Sequence, residues 1–132
     1  MRRYLPFAPL TAAFALALIL TAARGAQAQD AAAGAKVFNQ CKSCHVVAAG
    51  AKSTLGPNLF GVVGRAAAAV DGFRYSPSMK EKAAGGLVWN DEKLRAYLIN
   101  PKAVVPGGNM SFAGLKNEQQ VTDLLAYIGT LK

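Results

Sequence analysis

The distribution of apolar and polar residues along the chain predicts helices joined by long loops. The clearest repeat lies near the C-terminus, where apolar residues recur at i, i+3, i+4 and i+7 and so share one helix face. These positions are Leu124, Tyr127, Ile128 and Leu131. Asn117 precedes them as a helix cap, and Gln120 stands at the capping-box position. We therefore predict an amphipathic helix that begins after Asn117.

Two other segments carry helix signals. Residues 31–40 are rich in alanine, follow a helical pattern and lead directly into a pair of cysteines. Residues 76–84 have Pro77 in the first turn, which suits a residue without a backbone N–H, and Gly85-Gly86 follow as a stop. Both segments are predicted to be helical.

A fourth helix is predicted between Asn90 and Ile99. Asn90 can cap it, and it should end before Pro101 because the residue before a proline avoids helical geometry. Residues 46–53 and 56–65 have loop and turn chemistry, and no alternating strand pattern stands out. We expect an all-α fold of three to five helices with long loops. Loops of that length in a small domain are accounted for by a large cofactor that they surround.

The first 28 residues differ from the rest and resemble a secretory signal peptide. Arg2 and Arg3 give a positive start, residues 10–20 are uncharged and mostly apolar, and Ala26-Gln27-Ala28 is a small-x-small cleavage site. The alternative is a membrane anchor, but the apolar run is short for a helix that must span with about 20 residues. We expect cleavage after Ala28, a domain at 29–132 and export to the periplasm. The surroundings of the arginine pair match the twin-arginine signal poorly.

The net charge of the predicted domain restricts the kinds of partner that it can bind. The 104 residues left after the first 28 of 132 form one domain, and so small a core often needs a metal or cofactor. They hold twelve Lys and Arg residues against seven Asp and Glu, a net charge of +5. Such an excess favours an acidic protein, an anionic membrane surface or nucleic acid. We exclude nucleic acid because the chain is predicted to be exported and its basic residues are scattered.

Cys41, Cys44 and His45 form the sequence Cys-x-x-Cys-His, the attachment motif of c-type haem. Two thiols at this spacing can add to the two vinyl groups on one porphyrin edge. The residue that follows then lies beneath the ring, where an imidazole nitrogen reaches the iron. His45 is the only histidine of the chain. The motif predicts one covalently attached haem c per chain, with His45 as an iron ligand.

Three other interpretations of the motif fit less well. A thioredoxin-like redox pair needs a βαβ context, which the pattern lacks. A structural zinc site needs four ligands, and only three good ones are present. A disulfide between the cysteines, which is common in exported chains, would leave His45 unexplained.

The second axial position of the iron can hold a methionine or a lysine, or it can stay open. Met79 lies in the predicted helix at 76–84 and is interpreted as core packing. Met110 lies in a loop rich in proline and glycine, which can bring a side chain to a metal without helical constraints. We expect Met110 to be the ligand. A thioether favours Fe(II) and raises the reduction potential, and a closed iron favours electron transfer over binding of small molecules.

Four stretches resemble, in this order, the class I c-type cytochromes and, within them, the mitochondrial-like bacterial cytochrome c2 group. They are GAKVFNQCKSCH (34–45), GPNLFGVVGR (56–65), NPKAVVPGGNMSFAGLK (100–116, preceded by Trp89) and DLLAYI (123–128). The resemblance covers nearly all of residues 30–132. It implies the cytochrome c fold, in which helices and long loops wrap around one covalent haem.

The resemblance also implies roles for residues around the haem. Pro57 resembles the residue whose carbonyl accepts a hydrogen bond from the second nitrogen of His45 and so orients the imidazole. Tyr97 resembles a hydroxyl that lies near the sulfur of Met110. The donors that surround the haem propionates in the family correspond to Arg65, Tyr75 and Trp89.

Further positions resemble packing and docking residues of the family. Gly34 and Phe38 resemble the residues by which the first helix crosses the last one. Phe112 resembles an aromatic side chain beside the exposed haem edge. Lys102 and Lys116 match positions in the basic ring that meets redox partners.

Together these features predict a monomeric periplasmic electron shuttle that is not an enzyme. The resemblance suggests a cytochrome bc complex as donor and a terminal oxidase or photosynthetic reaction centre as acceptor, with only transient contact with the membrane surface. Gln40 and Asn109 stand where mitochondrial proteins commonly carry lysine, which weakens the expected docking surface. Two alternatives stay open. One is a haem enzyme or gas sensor, which needs an open coordination site, and the other is a subunit of a periplasmic dehydrogenase.

Overall fold

A computed structural model describes residues 29–132, and the predicted signal peptide lies outside this range. Within it the chain forms five α-helices and one short 3-10 helix, without a strand. The α-helices are α1 (Ala31–Val37), α2 (Pro77–Ala84), α3 (Asp91–Ile99), α4 (Pro101–Val104) and α5 (Glu118–Ile128), and the 3-10 helix is Phe38–Gln40. The predicted all-α fold is confirmed. None of the helices in residues 29–132 is both long and apolar enough to cross a membrane.

The core of the domain forms where α1 crosses α5. Phe38 and Leu124 are almost completely buried there, and the ring of Phe38 lies 5.3 Å from that of Tyr127. Gly34 makes the crossing possible: a Cβ at this position would overlap the backbone carbonyl of Asp123 and approach the Cβ of Tyr127 to 2.8 Å. The contact that the family resemblance implied for Gly34 and Phe38 is therefore present. The crossing fixes the direction in which the chain enters the cysteine motif.

Side-chain caps determine where the helices begin. Ser76, Asn90 and Asn117 accept hydrogen bonds from backbone N–H groups in the first turns of α2, α3 and α5. The caps at Asn90 and Asn117 were predicted from the sequence, whereas the cap at Ser76 was not. Asp30 caps α1 in the same way, and its own N–H donates to the Asp123 carboxylate at 3.0 Å. That second bond ties the start of α1 to α5.

The sequence interpretation missed the short helix α4. It correctly ended α3 before Pro101 but predicted no helix directly after it. Pro101 instead opens a new helical turn, and the side chain of Asn100 accepts a hydrogen bond from the N–H of Ala103. The physical reason is that a proline, which cannot continue one helix, is well suited to the first position of the next.

A single antiparallel bridge links the loop that precedes α2 to the segment that follows α2. The N–H of Trp89 donates to the carbonyl of Arg65 at 2.9 Å, and the N–H of Ala67 donates to the carbonyl of Leu87 at 2.8 Å. Among the described residues this bridge, between Ala66 and Val88, is the one ladder contact. It brings Arg65 and Trp89 together although they are distant in sequence.

We predict that Gly34→Ala destabilises the protein by about 1–3 kcal/mol, because the added methyl group forces α1 away from α5. Gly85→Ala is the matched control, since a Cβ at Gly85 meets only ordinary contacts at 3.5 and 3.6 Å and its φ is −78°. Urea unfolding of both variants measures the difference in the free energy of unfolding. Equal stability of the two variants would show that the helix crossing tolerates a larger residue.

Candidate functional site

Cys41, Cys44 and His45 lie on one turn of chain that continues from the 3-10 helix. The N–H groups of Cys44 and His45 both donate to the carbonyl of Cys41, at 3.0 and 2.9 Å. Both cysteines are half-buried free thiols. Burial raises the pKa of the Cys41 thiol, and the neighbouring Cys44 raises it further. Within five residues, this turn carries two thiols and an imidazole.

The imidazole of His45 is held by one backbone carbonyl. Its Nδ1 atom lies 2.8 Å from the carbonyl oxygen of Pro57. A carbonyl oxygen can only accept, so Nδ1 carries the proton and donates it. In a neutral ring the lone pair is then on Nε2. This tautomer can bind a metal through Nε2. The contact that the resemblance implied for Pro57 is thus present.

Gly56 lies against the face of the same imidazole, a role that the sequence interpretation did not identify. A Cβ on Gly56 would come within 2.5 Å of Cε1 and 2.7 Å of Nδ1 of His45. The N–H of Gly56 donates to the carbonyl of Cys44 at 2.7 Å. The Gly-Pro pair was the available signal, because glycine is the residue that permits a backbone to approach a ring closely.

Arg65 supports the loop that carries Pro57. Its Nη1 and Nη2 donate to the carbonyls of Phe60 and Asn58, both at 3.0 Å. Burial lowers the pKa of Arg65, and the nearby Tyr75 partly offsets this effect. The sequence interpretation predicted Arg65 only as a donor to the haem propionates and missed these two hydrogen bonds to the backbone. These bonds join Arg65 to residues five and seven positions earlier in the chain, so they form only if the loop between them folds back.

Tyr75, Trp89 and Tyr97 are aromatic residues that carry polar groups and are wholly or partly buried. The hydroxyl of Tyr75 accepts a hydrogen bond from the N–H of Val70 at 3.3 Å, and burial raises its pKa. Trp89 is 7% exposed and its ring packs 4.9 Å from the ring of Tyr97. Burial also raises the pKa of Tyr97. Burial thus favours the neutral phenol in both tyrosines.

The loop that contains Met110 is fixed on either side of the methionine. Before it, the N–H of Gly107 donates to the hydroxyl of Ser78 at 3.2 Å, and the ammonium of Lys102 donates to the carbonyl of Gly108. After it, the N–H of Leu115 donates to the carbonyl of Leu98 at 2.8 Å. Met110 itself is half-buried. The loop is thus anchored to α2, α3 and α4.

The second methionine of residues 29–132 packs differently. Met79 is partly buried against the hydrophobic core, which agrees with its interpretation as packing. Phe112 also packs against this core. Lys116 is exposed, and its ammonium donates to the carbonyl of Ala113 at 3.4 Å.

The donor set of this site fits haem c and not zinc. No group of three or more His, Cys, Asp or Glu side chains in residues 29–132 is arranged to hold a metal ion. A zinc site therefore lacks its ligands in this part of the chain. Two free thiols followed by an imidazole whose Nδ1 is already committed are, in contrast, what covalent haem attachment requires.

Comparison with known proteins agrees with this donor set. The family model for cytochrome c matches residues 31–132. A cytochrome c2 from Blastochloris viridis is 45% identical over 115 residues, which span 87% of this chain and 88% of that protein. A cytochrome c-550 from Ancylobacter novellus is 48% identical over 99 residues, 75% of this chain and 92% of that one.

The structural comparison gives the same result. The structure of cytochrome c2 from Rhodospirillum centenum superposes with a TM-score of 0.73 at 34% identity, covering 77% of this chain and 98% of that one. A family model that spans almost every described residue agrees with the geometry of the Cys-x-x-Cys-His turn. The chain therefore belongs to the cytochrome c family and carries one covalently attached haem c.

Proposed function

We propose that this protein is a soluble periplasmic electron carrier whose haem iron is held between His45 and Met110. The observation that carries the proposal is the 2.8 Å contact between Nδ1 of His45 and the carbonyl of Pro57. It leaves Nε2 as the metal-binding nitrogen and restricts rotation of the ring. The relatives named cytochrome c2 and cytochrome c-550 support a carrier of electrons rather than a catalyst.

When bound, the haem supplies a one-electron Fe(III)/Fe(II) couple. The thiols of Cys41 and Cys44 would tether it, and His45 and Met110 would ligate its iron. A neutral, soft thioether stabilises Fe(II) and raises the potential. Two protein ligands would leave no open coordination site for a small molecule, which suits an electron shuttle.

We further propose that Arg65, Tyr75 and Trp89 hold the haem propionates. Arg65 gives N–H groups to two carbonyls and has five such donors in all, so it keeps donors for a carboxylate. The hydroxyl of Tyr75 accepts from Val70, which leaves its own proton to donate. The indole N–H of the buried Trp89 is a third donor. Tyr97, packed against Trp89, is proposed to place its hydroxyl near the Met110 sulfur.

The proposed partners are membrane redox complexes: a cytochrome bc complex as donor, and a terminal oxidase or photosynthetic reaction centre as acceptor. Residues 29–132 carry a net charge of +5, which two propionates reduce to about +3. Lys102 and Lys116 are exposed and lie on either side of Met110 in sequence. A modest positive charge around the haem edge would steer encounter with an acidic partner and still permit rapid release. We propose that the carrier acts as a monomer.

Replacement of Met110 tests the ligand assignment. We expect Met110→Ala to abolish the weak long-wavelength absorption band that iron–thioether ligation gives the oxidised protein, and to let the reduced protein bind carbon monoxide rapidly. Met79→Leu is the control and should change neither property, since Met79 packs against the core. Rapid carbon monoxide binding by the wild-type protein would instead favour the gas-sensor or enzyme alternative.

Replacement of Gly56 tests the setting of His45. The Cβ of Gly56→Ala would overlap the imidazole, so we expect the ring to lose its bond to Pro57 and the yield of haem per polypeptide to fall severalfold. Gly129→Ala is the matched control, because a Cβ there meets only backbone oxygens at 3.4 Å. Absorbance of the haem relative to polypeptide concentration measures the loss. Normal loading of the Gly56 variant would contradict the close approach.

Ionic strength tests the docking surface. We expect the second-order rate of reduction by a purified cytochrome bc complex to fall as salt rises from about 0.01 to 1 M, because screening shortens the reach of the lysine charges. Lys116→Glu should lower the rate at low salt. Lys93→Glu makes the same change of two charges but should lower the rate less, because Lys93 lies in α3 and not in the segment 100–116 that carries Met110. A rate that is independent of salt would rule out electrostatic steering.

A further inference from the structure

One peptide group links the ring of His45 to a hydroxyl on the preceding loop. The carbonyl of Pro57 accepts the Nδ1–H of His45 at 2.8 Å. The N–H on the other side of that same peptide bond, from Asn58, donates to Oγ of Ser53 at 2.9 Å. Because the peptide is planar and trans, its C=O and N–H point in opposite directions. The group is therefore held from both ends, by His45 and by Ser53.

We propose that Ser53 is a positioning residue that sets the reduction potential through this peptide. The inference rests on the proposed function, in which Nε2 of His45 binds the haem iron. A hydroxyl that accepts the amide proton polarises the peptide and strengthens its carbonyl as an acceptor, since hydrogen bonds in a chain reinforce one another. A stronger acceptor draws the Nδ1 proton away from the imidazole and makes Nε2 a better electron donor.

The neighbouring contacts act on other groups. The side chain of Asn58 donates to the carbonyls of Ala48 and Ala51, at 2.8 and 2.9 Å, and fixes the loop in which Ser53 lies. Arg65 holds the carbonyl of Asn58, which belongs to the next peptide. These bonds stabilise the loop, whereas the bond to Ser53 acts directly on the peptide that faces His45. Loss of the bond to Ser53 should therefore change the reduction potential, whereas loss of the other bonds should mainly change stability.

The sign of the effect follows from the oxidation states. A more strongly donating imidazole stabilises Fe(III) over Fe(II) and lowers the potential. Removal of the Ser53 hydroxyl weakens the carbonyl as an acceptor, so the potential should rise. Ser53→Thr keeps the hydroxyl and should restore the wild-type value.

The test is a redox titration of the intact holoprotein against mediators, for wild type, Ser53→Ala and Ser53→Thr. We expect Ser53→Ala to change the Fe(II)/Fe(III) ratio at a fixed mediator potential by about threefold in favour of Fe(II). For a one-electron couple this is about 28 mV, at 59 mV per tenfold. Asn117→Ala serves as the control for destabilisation, since it removes the cap of α5 and leaves the Ser53 loop unchanged.

The inference is supported if Ser53→Ala raises the potential while Ser53→Thr and Asn117→Ala match wild type. It is overturned if Ser53→Ala lowers stability but leaves the potential unchanged, or if Asn117→Ala raises it equally. Should Ser53→Ala fail to fold, hydrogen exchange of the Asn58 amide in the reduced wild-type protein decides. Slow exchange supports the bond to Ser53, and exchange at the rate of an exposed amide overturns it.

The same samples distinguish a failure of the proposed iron ligation from a failure of the role of Ser53. If the oxidised wild-type protein lacks the iron–thioether band, the proposed ligation is wrong and this inference falls with it. If the band is present and only the response to Ser53→Ala is missing, the proposed function stands and the role of Ser53 alone is rejected.

Discussion

The hydrogen bond from Nδ1 of His45 to the carbonyl of Pro57 is the interaction on which the site depends. It selects the tautomer of the only histidine and directs Nε2 toward a metal. Gly56 leaves no room for a side chain between the backbone and the ring, and Arg65 holds the carbonyls of Asn58 and Phe60 in the loop that carries Pro57. Without these contacts the two thiols would tether a haem whose proximal ligand was free to rotate.

The rest of the fold holds this arrangement in position. The close crossing of α1 and α5 at Gly34 fixes the entry of the chain into the Cys41–Cys44 turn. The bridge between Ala66 and Val88 brings Arg65 beside Trp89. A domain of about a hundred residues has a thin core, so a covalent cofactor that its loops surround adds apolar contacts that the polypeptide alone cannot provide.

The Met110 loop illustrates how a chain without regular structure can be precisely held. Ser78, Lys102 and Leu98 each bond to its backbone from a different helix. Lys102 therefore has a structural contact in addition to the docking role that its position suggests. In the proposed function, such a loop would present Met110 to the iron with little rearrangement between oxidation states, which favours rapid electron exchange.

The sequence by itself determined the features that depend on neighbouring residues. The spacing of Cys41, Cys44 and His45 specified a covalent haem, and the caps at Asn90 and Asn117 specified where two helices begin. These are local signals, because a cap or an attachment motif acts within a few positions of the chain. The short helix α4 was missed because Pro101 was taken only as a stop, although proline also starts helices.

Only the tertiary structure decided which distant groups meet. The contact of Gly56 with the imidazole, the bonds of Arg65 to two carbonyls and the bond from Asn58 to Ser53 all arise from the path of the loop. A resemblance to a family could point to Pro57, but no periodicity or spacing in the chain specifies that Ser53 faces the other side of the same peptide. Backbone hydrogen bonds of this kind depend on φ and ψ along the whole loop, and those angles are fixed by packing rather than by any single residue.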